Sequence, residues 1–201
     1  MNSFLTKLKE SQQREPALHI IDTVKKNNIY TIDISSQVNN SQVLDRIYEY
    51  KDKFPISRTS SIENAWHSDY FFHNHVPDLD VILLNTIEKY IREFYAPKNT
   101  YDLILLSSWP IIYQKGSHVN RHNHGVSALS GVYYVQTGTG SQPLVFSPSE
   151  HTIHPKEGML VLFPGDLYHY VPVQKVEGTR ISIAFNYAFN IKLNSGIVNR
   201  H

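Results

Sequence analysis

From Leu103 onward the chain consists of short apolar runs separated by glycine, proline and serine, and this pattern constrains the fold more than any other feature. β-Branched and aromatic residues are frequent in the runs, which is typical of β-strands. The pattern predicts strands at residues 103–113, 127–136, 143–146, 158–163, 168–173 and 180–189. Strands at this spacing favour a sandwich or a barrel.

Two amphipathic helices are predicted upstream of these strands. The first is capped by Ser41 and ends before Pro55, and the second lies between Pro77 and Pro97. Their apolar residues follow helical spacing: Val43, Leu44, Ile47 and Tyr48 in the first, and Leu83, Leu84, Ile87, Tyr90, Ile91 and Phe94 in the second. We expect both helices to pack on the outside of a sheet.

The length of 201 residues indicates one domain with a short extension. Residues 1–27 are polar and irregular, so we interpret them as an N-terminal extension. The single domain is expected over residues 28–201, starting with an alternating strand at 29–34. Its β-rich core is expected at about 101–190.

Composition excludes several classes of function. The 19 basic residues are nearly matched by 18 acidic ones, which argues against a nucleic-acid binder that works by bulk charge. The absence of cysteine excludes disulfides, thiolate zinc sites and a cysteine nucleophile. No apolar run reaches the roughly 20 residues that span a bilayer, and the first residues do not resemble a signal peptide. We therefore expect a cytoplasmic protein without a membrane partner; its oligomeric state stays open.

Histidines in two segments form the main candidate site. His122 and His124 are two residues apart, so on one strand they point to the same face and could grip one metal ion. His169 begins a later strand, at a separation natural for strands that meet across a barrel. Imidazole nitrogens suit Fe, Zn, Cu or Ni.

Arg180 follows His169 at about the distance of one hairpin, so its side chain can return to the same cavity. A guanidinium group matches a carboxylate with two parallel hydrogen bonds. Ser182 lies two residues along the same strand and can add a hydroxyl on the same face. The parts together predict a metal site that also holds a keto acid.

Several fragments in a fixed order resemble the Fe(II)- and 2-oxoglutarate-dependent oxygenases of phages and bacteria, which are relatives of the prolyl hydroxylases. These are Tyr113-Gln114-Lys115-Gly116, His122-x-His124, Leu129-Ser130-Gly131-Val132-Tyr133-Tyr134-Val135, Gly158 to Pro164, His169 and Arg180 to Asn186. Asn64 to Ser68 also looks like a short upstream signature of that group. The resemblance covers roughly residues 60–190 and implies a double-stranded β-helix, or jelly-roll, core with flanking helices.

The resemblance also implies roles for particular residues. His122 matches the first iron ligand and His169 the distal one, while Arg180, helped by Ser182, matches the group that binds the far carboxylate of 2-oxoglutarate. Tyr113 and Tyr134 correspond to tyrosines that contact the co-substrate. Strand parity puts Ser130, Val132 and Tyr134 on one face and Tyr133 on the other, so Ser130 is included with the co-substrate residues.

The second ligand position departs from the superfamily, where a carboxylate stands in place of His124. Three neutral imidazoles leave the two positive charges of the metal uncompensated, so we expect weaker Fe(II) binding before dianionic 2-oxoglutarate arrives. Two alternatives stay open. In one, His124 is not a ligand and water completes the shell; in the other, Asp166, in the tight turn three residues before His169, contributes.

The implied activity is that of a dioxygenase that uses Fe(II), 2-oxoglutarate and dioxygen, with ascorbate as a supporting reductant. By analogy, a peptidyl proline or another amino-acid side chain is the first expected substrate, within a protein, a peptide or a small molecule. The loops 57–76, 115–121 and 147–154 are expected to surround the mouth of the barrel. A cupin-type metal enzyme that does not use 2-oxoglutarate, and a jelly-roll module that only binds, are the alternatives.

The other histidines have weaker assignments. His118 is expected in a loop near the mouth, and His67 either lines the entrance or packs beside Trp66. Four others are expected at the surface: His73, His75, His151 and His154.

Overall fold

The computed structural model describes residues 20–24, 28–58, 61–95, 101–125 and 127–191. Within these residues it has a short N-terminal pair of strands, three helices and a long run of strands. The elements are β1 (Ile20–Val24), β2 (Ile29–Asp33), α1 (Asn40–Lys53), β3 (Ile62–Glu63), β4 (Trp66–His67), α2 (Phe72–His75), a π-helical segment (Asp80–Leu84), α3 (Asn85–Tyr95), β5 (Tyr101–Tyr113), β6 (His118–His122), β7 (Leu129–Gln136), β8 (Leu144–Ser147), β9 (His151–Ile153), β10 (Met159–Pro164), β11 (Tyr168–Val171) and β12 (Arg180–Ile191).

The strands form two antiparallel sheets that pack face to face. The larger sheet has the order β1-β2-β10-β7-β12-β5-β4, and the smaller has the order β3-β6-β11-β8-β9. Apolar side chains from both sheets meet in one buried cluster that includes Trp109, Val132, Phe146 and Phe163. This arrangement confirms the expected mainly β class and the double-stranded β-helix core.

The outer face of the larger sheet is covered by the helices, as expected from their amphipathic patterns. Val43 and Ile47 of α1 and Ile87 and Ile91 of α3 are fully buried against outward-facing residues of the sheet such as Tyr133. Burial of each such aliphatic side chain stabilises the fold by about 1.5–3 kcal/mol. The alternation along β7, with Tyr133 outward and Tyr134 inward, follows from the two-residue period of a strand.

The first helix begins earlier than the sequence suggested. Asn39 is its N-cap, with an extended backbone and a side chain that accepts a hydrogen bond from the backbone N–H of Gln42 at 3.4 Å. Ser41 lies inside the helix, so the prediction that Ser41 caps it was wrong. Asn and Ser cap helices almost equally well. The extended backbone lies at Asn39, so Asn39 and not Ser41 is the cap.

Five short strands lie where loops or extension were expected. β3 and β4 lie inside the loop predicted at 57–76. β6 occupies the second half of the loop predicted at 115–121, and β9 lies inside the loop predicted at 147–154. β1 lies inside the predicted N-terminal extension, yet it pairs with β2 as the first strand of the larger sheet. Residues 1–19 and 25–27 fall outside the described residues, so the division of the chain at residue 27 stays a prediction.

Among the described residues, every helix is too short or too polar to traverse a lipid bilayer.

Candidate metal and co-substrate site

His122 and His169 are directly opposite each other on two paired strands. His122 ends β6, His169 lies in β11, and the two are partners in the antiparallel ladder. Their ring centroids are 4.4 Å apart. Directly opposed residues on one face of a sheet have neighbouring side chains, which explains why residues so distant in sequence meet here.

Both rings are oriented by a backbone carbonyl of their own segment. Nδ1 of His122 is 2.8 Å from the carbonyl oxygen of Asn120, and Nδ1 of His169 is 2.9 Å from that of Leu167. A carbonyl only accepts, so the proton sits on Nδ1 and the lone pair of Nε2 is free in each ring. Such carbonyl contacts are the usual support of a metal-binding histidine.

His124 reaches the same place by another route. It lies beyond the end of β6, so the expectation that it shares a strand with His122 was wrong. Its ring is 4.9 Å from that of His122 and 5.2 Å from that of His169, between centroids. One ligand atom from each of the three side chains lies within 4.8 Å of the others. The structure therefore brings the three histidines together.

Burial keeps these imidazoles uncharged. Loss of hydration lowers the pKa of His169 to about 3, helped by the nearby His122 and opposed by the hydrogen bond to Leu167. Burial, with a contribution from His122, lowers the pKa of His124 to about 4. The pKa of His122 is also lowered by burial. At neutral pH the cluster offers three neutral nitrogen donors, the donor type that first-row divalent metals accept from proteins, so the residues present fit Fe(II).

The histidines open into a cavity of about 320 Å³ between the two sheets. Its long wall is formed by the inward residues of β5 and β12, which are paired in register: Tyr113 with Arg180, Ile111 with Ser182, and Trp109 with Ala184. Four residues of strand separate Tyr113 from Trp109, or about 13 Å. The cavity therefore has a basic end at Arg180 and an aromatic end at Trp109, where His124 lies 5.8 Å from the indole ring.

Arg180 is a buried cation without a carboxylate partner among the described residues. Its side chain is only 3% exposed, and one of its terminal nitrogens donates to the carbonyl oxygen of Gln142 at 2.8 Å. Its Nε makes no hydrogen bond to the described part of the chain. A buried charge without a counterion is costly, and no carboxylate of the described residues supplies one here.

Two tyrosines flank this guanidinium group. Its central carbon lies 4.6 Å from the ring centre of Tyr113 and 5.0 Å from that of Tyr134. Burial raises the pKa of Tyr134 to about 12 and also raises that of Tyr113, although Arg180 lowers both. Both hydroxyls are therefore protonated donors at neutral pH. The Tyr134 hydroxyl is buried and has no hydrogen-bond partner in the described chain.

The two predicted serines differ in position. Ser182 lines the cavity two residues from Arg180 on β12, and its hydroxyl lowers the pKa of Tyr113. Ser130 lies beside the cavity, and its hydroxyl donates to Oδ1 of Asn186 at 2.7 Å. Asn186 in turn donates to Ser107 at 3.0 Å, so it is Asn186 that presents this polar group to the cavity.

The other histidines that the structure describes lie outside the cluster. His67 is buried in the cavity wall between Tyr70 and Trp109. His118 lies in β6, 3.5 Å from a carboxylate oxygen of Glu63, rather than in a loop. His75 and His154 are exposed as expected, but two expected surface residues are half-buried: His73, which contacts Ser108 at 2.9 Å, and His151, which lies beside Phe146.

Sequence reasoning missed the aromatic end of the cavity. Trp109 and Tyr70 both line it, and their rings meet edge to face at 5.2 Å between centroids. Trp109 could have been found from strand parity, since it lies four residues before Tyr113 on the same face. Of the three loops expected at the mouth, the first contributes Tyr70 and the second Val119, while residues 147–154 do not line the cavity.

Comparisons with known proteins find similarity over the segments that build this cavity. Residues 107–151 and 145–186 match the model of the family described as "Putative 2OG-Fe(II) oxygenase". A search among curated proteins found no match. The matched segments contain all three clustered histidines and Arg180.

Solved structures share the fold at low sequence identity. The viral collagen prolyl hydroxylase of Paramecium bursaria Chlorella virus-1, as its 2OG complex, has a TM-score of 0.60 at 14% identity, covering 83% of this chain and 98% of its own. A prolyl hydroxylase from Trichoplax adhaerens, in complex with a hypoxia inducible factor peptide fragment, has a TM-score of 0.57 at 14% identity and covers 93% of both chains. The non-heme alpha-ketoglutarate-dependent carbocyclase SnoK of nogalamycin biosynthesis has a TM-score of 0.69 at 8% identity, covering 88% of this chain and 85% of its own.

This chain is thus similar to 2-oxoglutarate- and Fe(II)-dependent oxygenases over the segments that carry the three histidines and Arg180, and it shares the fold of the solved structures.

Proposed function

We propose that His122, His124 and His169 hold Fe(II) and that Arg180 binds the far carboxylate of 2-oxoglutarate. The protein then hydroxylates an amino-acid side chain, with a peptidyl proline as the first choice of substrate. When bound, Fe(II) with 2-oxoglutarate and dioxygen supplies the oxidising power for this reaction, and 2-oxoglutarate becomes succinate and carbon dioxide.

The observation that carries the proposal is the buried Arg180, which no carboxylate of the described residues neutralises, in the same cavity as three neutral histidines. A metal enzyme that does not use 2-oxoglutarate has no need of a second, separate carboxylate site. The Tyr134 hydroxyl beside Arg180 supplies a further donor that nothing in the described chain satisfies. Together these groups match one carboxylate at the basic end of the cavity.

The charges of the site favour binding of the co-substrate and metal together. Three imidazoles do not offset the two positive charges of Fe(II), and Arg180 adds another at the far end of the cavity. A dianion that contacts both offsets most of this charge. We therefore propose that Fe(II) and 2-oxoglutarate bind with positive coupling, each raising the affinity for the other.

The aromatic end of the cavity supports a neutral substrate group. Trp109, Tyr70 and His67 form a largely apolar wall, and the guanidinium group of Arg58 lies 5.8 Å from the ring centre of Tyr70. The Arg58 charge also lowers the pKa of His67, though less than burial does. The positive charge of Arg58 would repel a lysine or arginine side chain of a substrate, whereas an uncharged prolyl ring would not be repelled.

The proposal is tested by incubating the purified protein with Fe(II), ascorbate and 2-oxoglutarate under air and measuring succinate. Succinate above the no-enzyme level is expected for the wild type and for a Lys156→Ala variant, a surface control. Loss of the signal on Arg180→Ala is expected, because the carboxylate loses its cation. Proline-containing peptides should raise the rate more than matched lysine peptides. No succinate, together with no thermal shift on adding metal and 2-oxoglutarate, would count against the proposal.

A further inference from the structure

The turn at Gly165–Leu167, between β10 and β11, touches the backbone of one metal-binding histidine and the ring of another. We propose that this turn positions His124 and His169, and that Gly165 must lack a side chain for it to do so. The inference rests on the proposed metal role of the histidines. It assigns Gly165 as a positioning residue rather than as a simple turn former.

The contact with His124 is a short backbone hydrogen bond. The N–H of His124 donates to the carbonyl oxygen of Gly165 at 2.7 Å. The neighbouring Asn123 side chain donates to the carbonyl oxygen of Asp166 at 3.3 Å. Two consecutive residues after β6 are thus tied to two consecutive carbonyls of the turn. This contact replaces the strand pairing that His124, beyond the end of β6, does not have.

The space around Gly165 leaves no room for a methyl group. A Cβ atom there would lie 2.2 Å from the carbonyl oxygen of Ser127, 2.9 Å from its carbonyl carbon and 3.0 Å from the carbonyl oxygen of His124. All three are backbone atoms, which cannot swing aside as a flexible side chain would. Any side chain at Gly165 must therefore push the two segments apart.

The backbone around His124 cannot easily retreat. Ser127 donates its N–H to the carbonyl oxygen of His124 at 2.7 Å, which fixes the bend between them. Ala128 then donates its N–H to the carbonyl oxygen of Tyr187 on β12 at 3.1 Å. A shift forced at Gly165 would consequently move His124 relative to the metal site.

The other end of the turn orients His169. The carbonyl oxygen of Leu167 accepts from Nδ1 of His169 at 2.9 Å, and the N–H of Leu167 donates to the carbonyl oxygen of Pro164 at 3.2 Å. His122 is different, because Asn120 of its own strand orients its ring. Two of the three histidines therefore depend on one turn, while the third is fixed by β6.

A matched control is available at the opposite end of β10. Gly158 directly precedes this strand, and a Cβ there would lie 2.4 Å from Cβ and 2.8 Å from Cα of Ser35, at a φ of +78°. Six residues of strand, or about 20 Å, separate it from Gly165. Gly158→Ala should thus destabilise the fold by a comparable clash without touching the histidines.

The test is a titration of metal-free protein with Co(II), without 2-oxoglutarate, followed by the visible absorption of the bound ion. Gly165→Ala is expected to weaken Co(II) binding about tenfold or more and to change the absorption bands, since supporting groups of metal ligands typically contribute 10–100-fold. Gly158→Ala should bind like the wild type at a temperature where circular dichroism shows both variants folded. Equal Co(II) affinities for the two variants would overturn the inference.

A double-variant comparison separates positioning from general damage. If Gly165 acts largely through His124, adding Gly165→Ala to His124→Ala should weaken Co(II) binding much less than it does in the wild type. Full additivity would contradict this. If Gly165→Ala does not fold, Asn123→Ala can be used instead, because it removes the hydrogen bond to Asp166 without adding volume. Asn123→Ala should weaken Co(II) binding a few-fold, about the contribution of one hydrogen bond. Unchanged Co(II) binding by Asn123→Ala would also overturn the inference. If the wild type binds neither Co(II) nor Fe(II), the proposed function itself is contradicted, and the inference that rests on it is contradicted too.

Discussion

His122 and His169 face each other across the β6–β11 ladder, with ring centroids 4.4 Å apart and each Nδ1 held by a backbone carbonyl of its own segment. This pair is the fixed part of the site, since both its members lie in paired strands. His124 completes the cluster from outside the strand, through the contact with Gly165. Replacement of His122 or His169 should therefore affect metal binding more than replacement of His124.

Replacement of His124 by aspartate should strengthen Fe(II) binding in the absence of 2-oxoglutarate. A carboxylate offsets one charge of the metal, whereas the imidazole offsets none. His124→Ala should weaken metal binding, and added 2-oxoglutarate should restore part of the affinity. Calorimetric titration of metal-free protein measures both. His118→Ala, outside the cluster, is the control and should change neither value.

His122→Ala and His169→Ala should each abolish metal-dependent stabilisation in a thermal unfolding assay. The two rings are opposed on one ladder and form the fixed pair of the site, so loss of either leaves one fixed donor and His124, which has no strand pairing of its own. A metal-induced shift that survives His169→Ala would place the metal elsewhere. Metal-free unfolding temperatures of the variants provide the reference.

Tyr133 and Tyr134 are adjacent, but removal of the hydroxyl should lower stability at Tyr133 and 2-oxoglutarate affinity at Tyr134. The Tyr133 hydroxyl donates to Oδ1 of Asn40 at 2.5 Å on the helical side of the sheet, so Tyr133→Phe should cost about 0.5–1.5 kcal/mol of stability and leave 2-oxoglutarate affinity unchanged. The Tyr134 hydroxyl has no partner in the described chain and faces the cavity. Tyr134→Phe should therefore change stability little and weaken 2-oxoglutarate binding several-fold. Denaturant unfolding and co-substrate titration of both variants check this, and the reverse pattern would refute it.

The pH dependence of stability should include a contribution from Glu88 of α3. Burial raises the pKa of this carboxyl above its usual value, while hydrogen bonding from Tyr187 at 3.3 Å partly offsets the rise. The folded state then binds more protons than the unfolded state between the two pKa values. Stability from this group is present below the usual carboxyl pKa and is lost as pH rises through the raised value.

Glu88→Gln keeps an acceptor for Tyr187 but carries no charge, so it should raise the melting temperature at neutral pH. The gain over wild type should shrink as the pH approaches 4, where the wild-type carboxyl is protonated in both states. The exposed Glu93, on the same helix, provides the control Glu93→Gln. A gain that does not depend on pH would show that charge burial is not its cause.

Much of the site could be predicted because strand patterns are local. The alternating runs placed Arg180, Ser182 and Tyr113 on their strands, and parity separated Tyr133 from Tyr134. β6 could not be recognised in the same way, because His118–His122 contains one apolar residue among polar ones and only Val119 is buried.

The rest depends on contacts between distant segments. The position of His124 is set by the carbonyl of Gly165, and that of the Trp109 ring by its packing against His67 and Tyr70. Ser130 shows the converse, since parity placed it correctly but its hydroxyl is taken by Asn186. Periodicity reveals the face on which a side chain lies and not the partner that it meets there.

Replacing Arg180 should affect the co-substrate more than the metal. Arg180→Ala removes the cation that lies against the rings of Tyr113 and Tyr134. The affinity for 2-oxoglutarate should therefore fall by about 10-fold or more, which corresponds to the roughly 1.5–3 kcal/mol of a charged hydrogen bond. Arg180→Lys keeps the charge but loses the planar pair of donors, so its 2-oxoglutarate affinity should lie between those of the wild type and Arg180→Ala. Equal losses of metal and co-substrate affinity would show that Arg180 is structural.

The most direct test of the central claim is a crystal structure of the protein grown without oxygen, with Mn(II) and 2-oxoglutarate, using anomalous scattering to locate the metal. One Mn(II) ion bound by the nitrogens of His122, His124 and His169 is expected, with a carboxylate of 2-oxoglutarate paired to Arg180. A metal bound elsewhere, or a co-substrate that does not reach Arg180, would contradict the account.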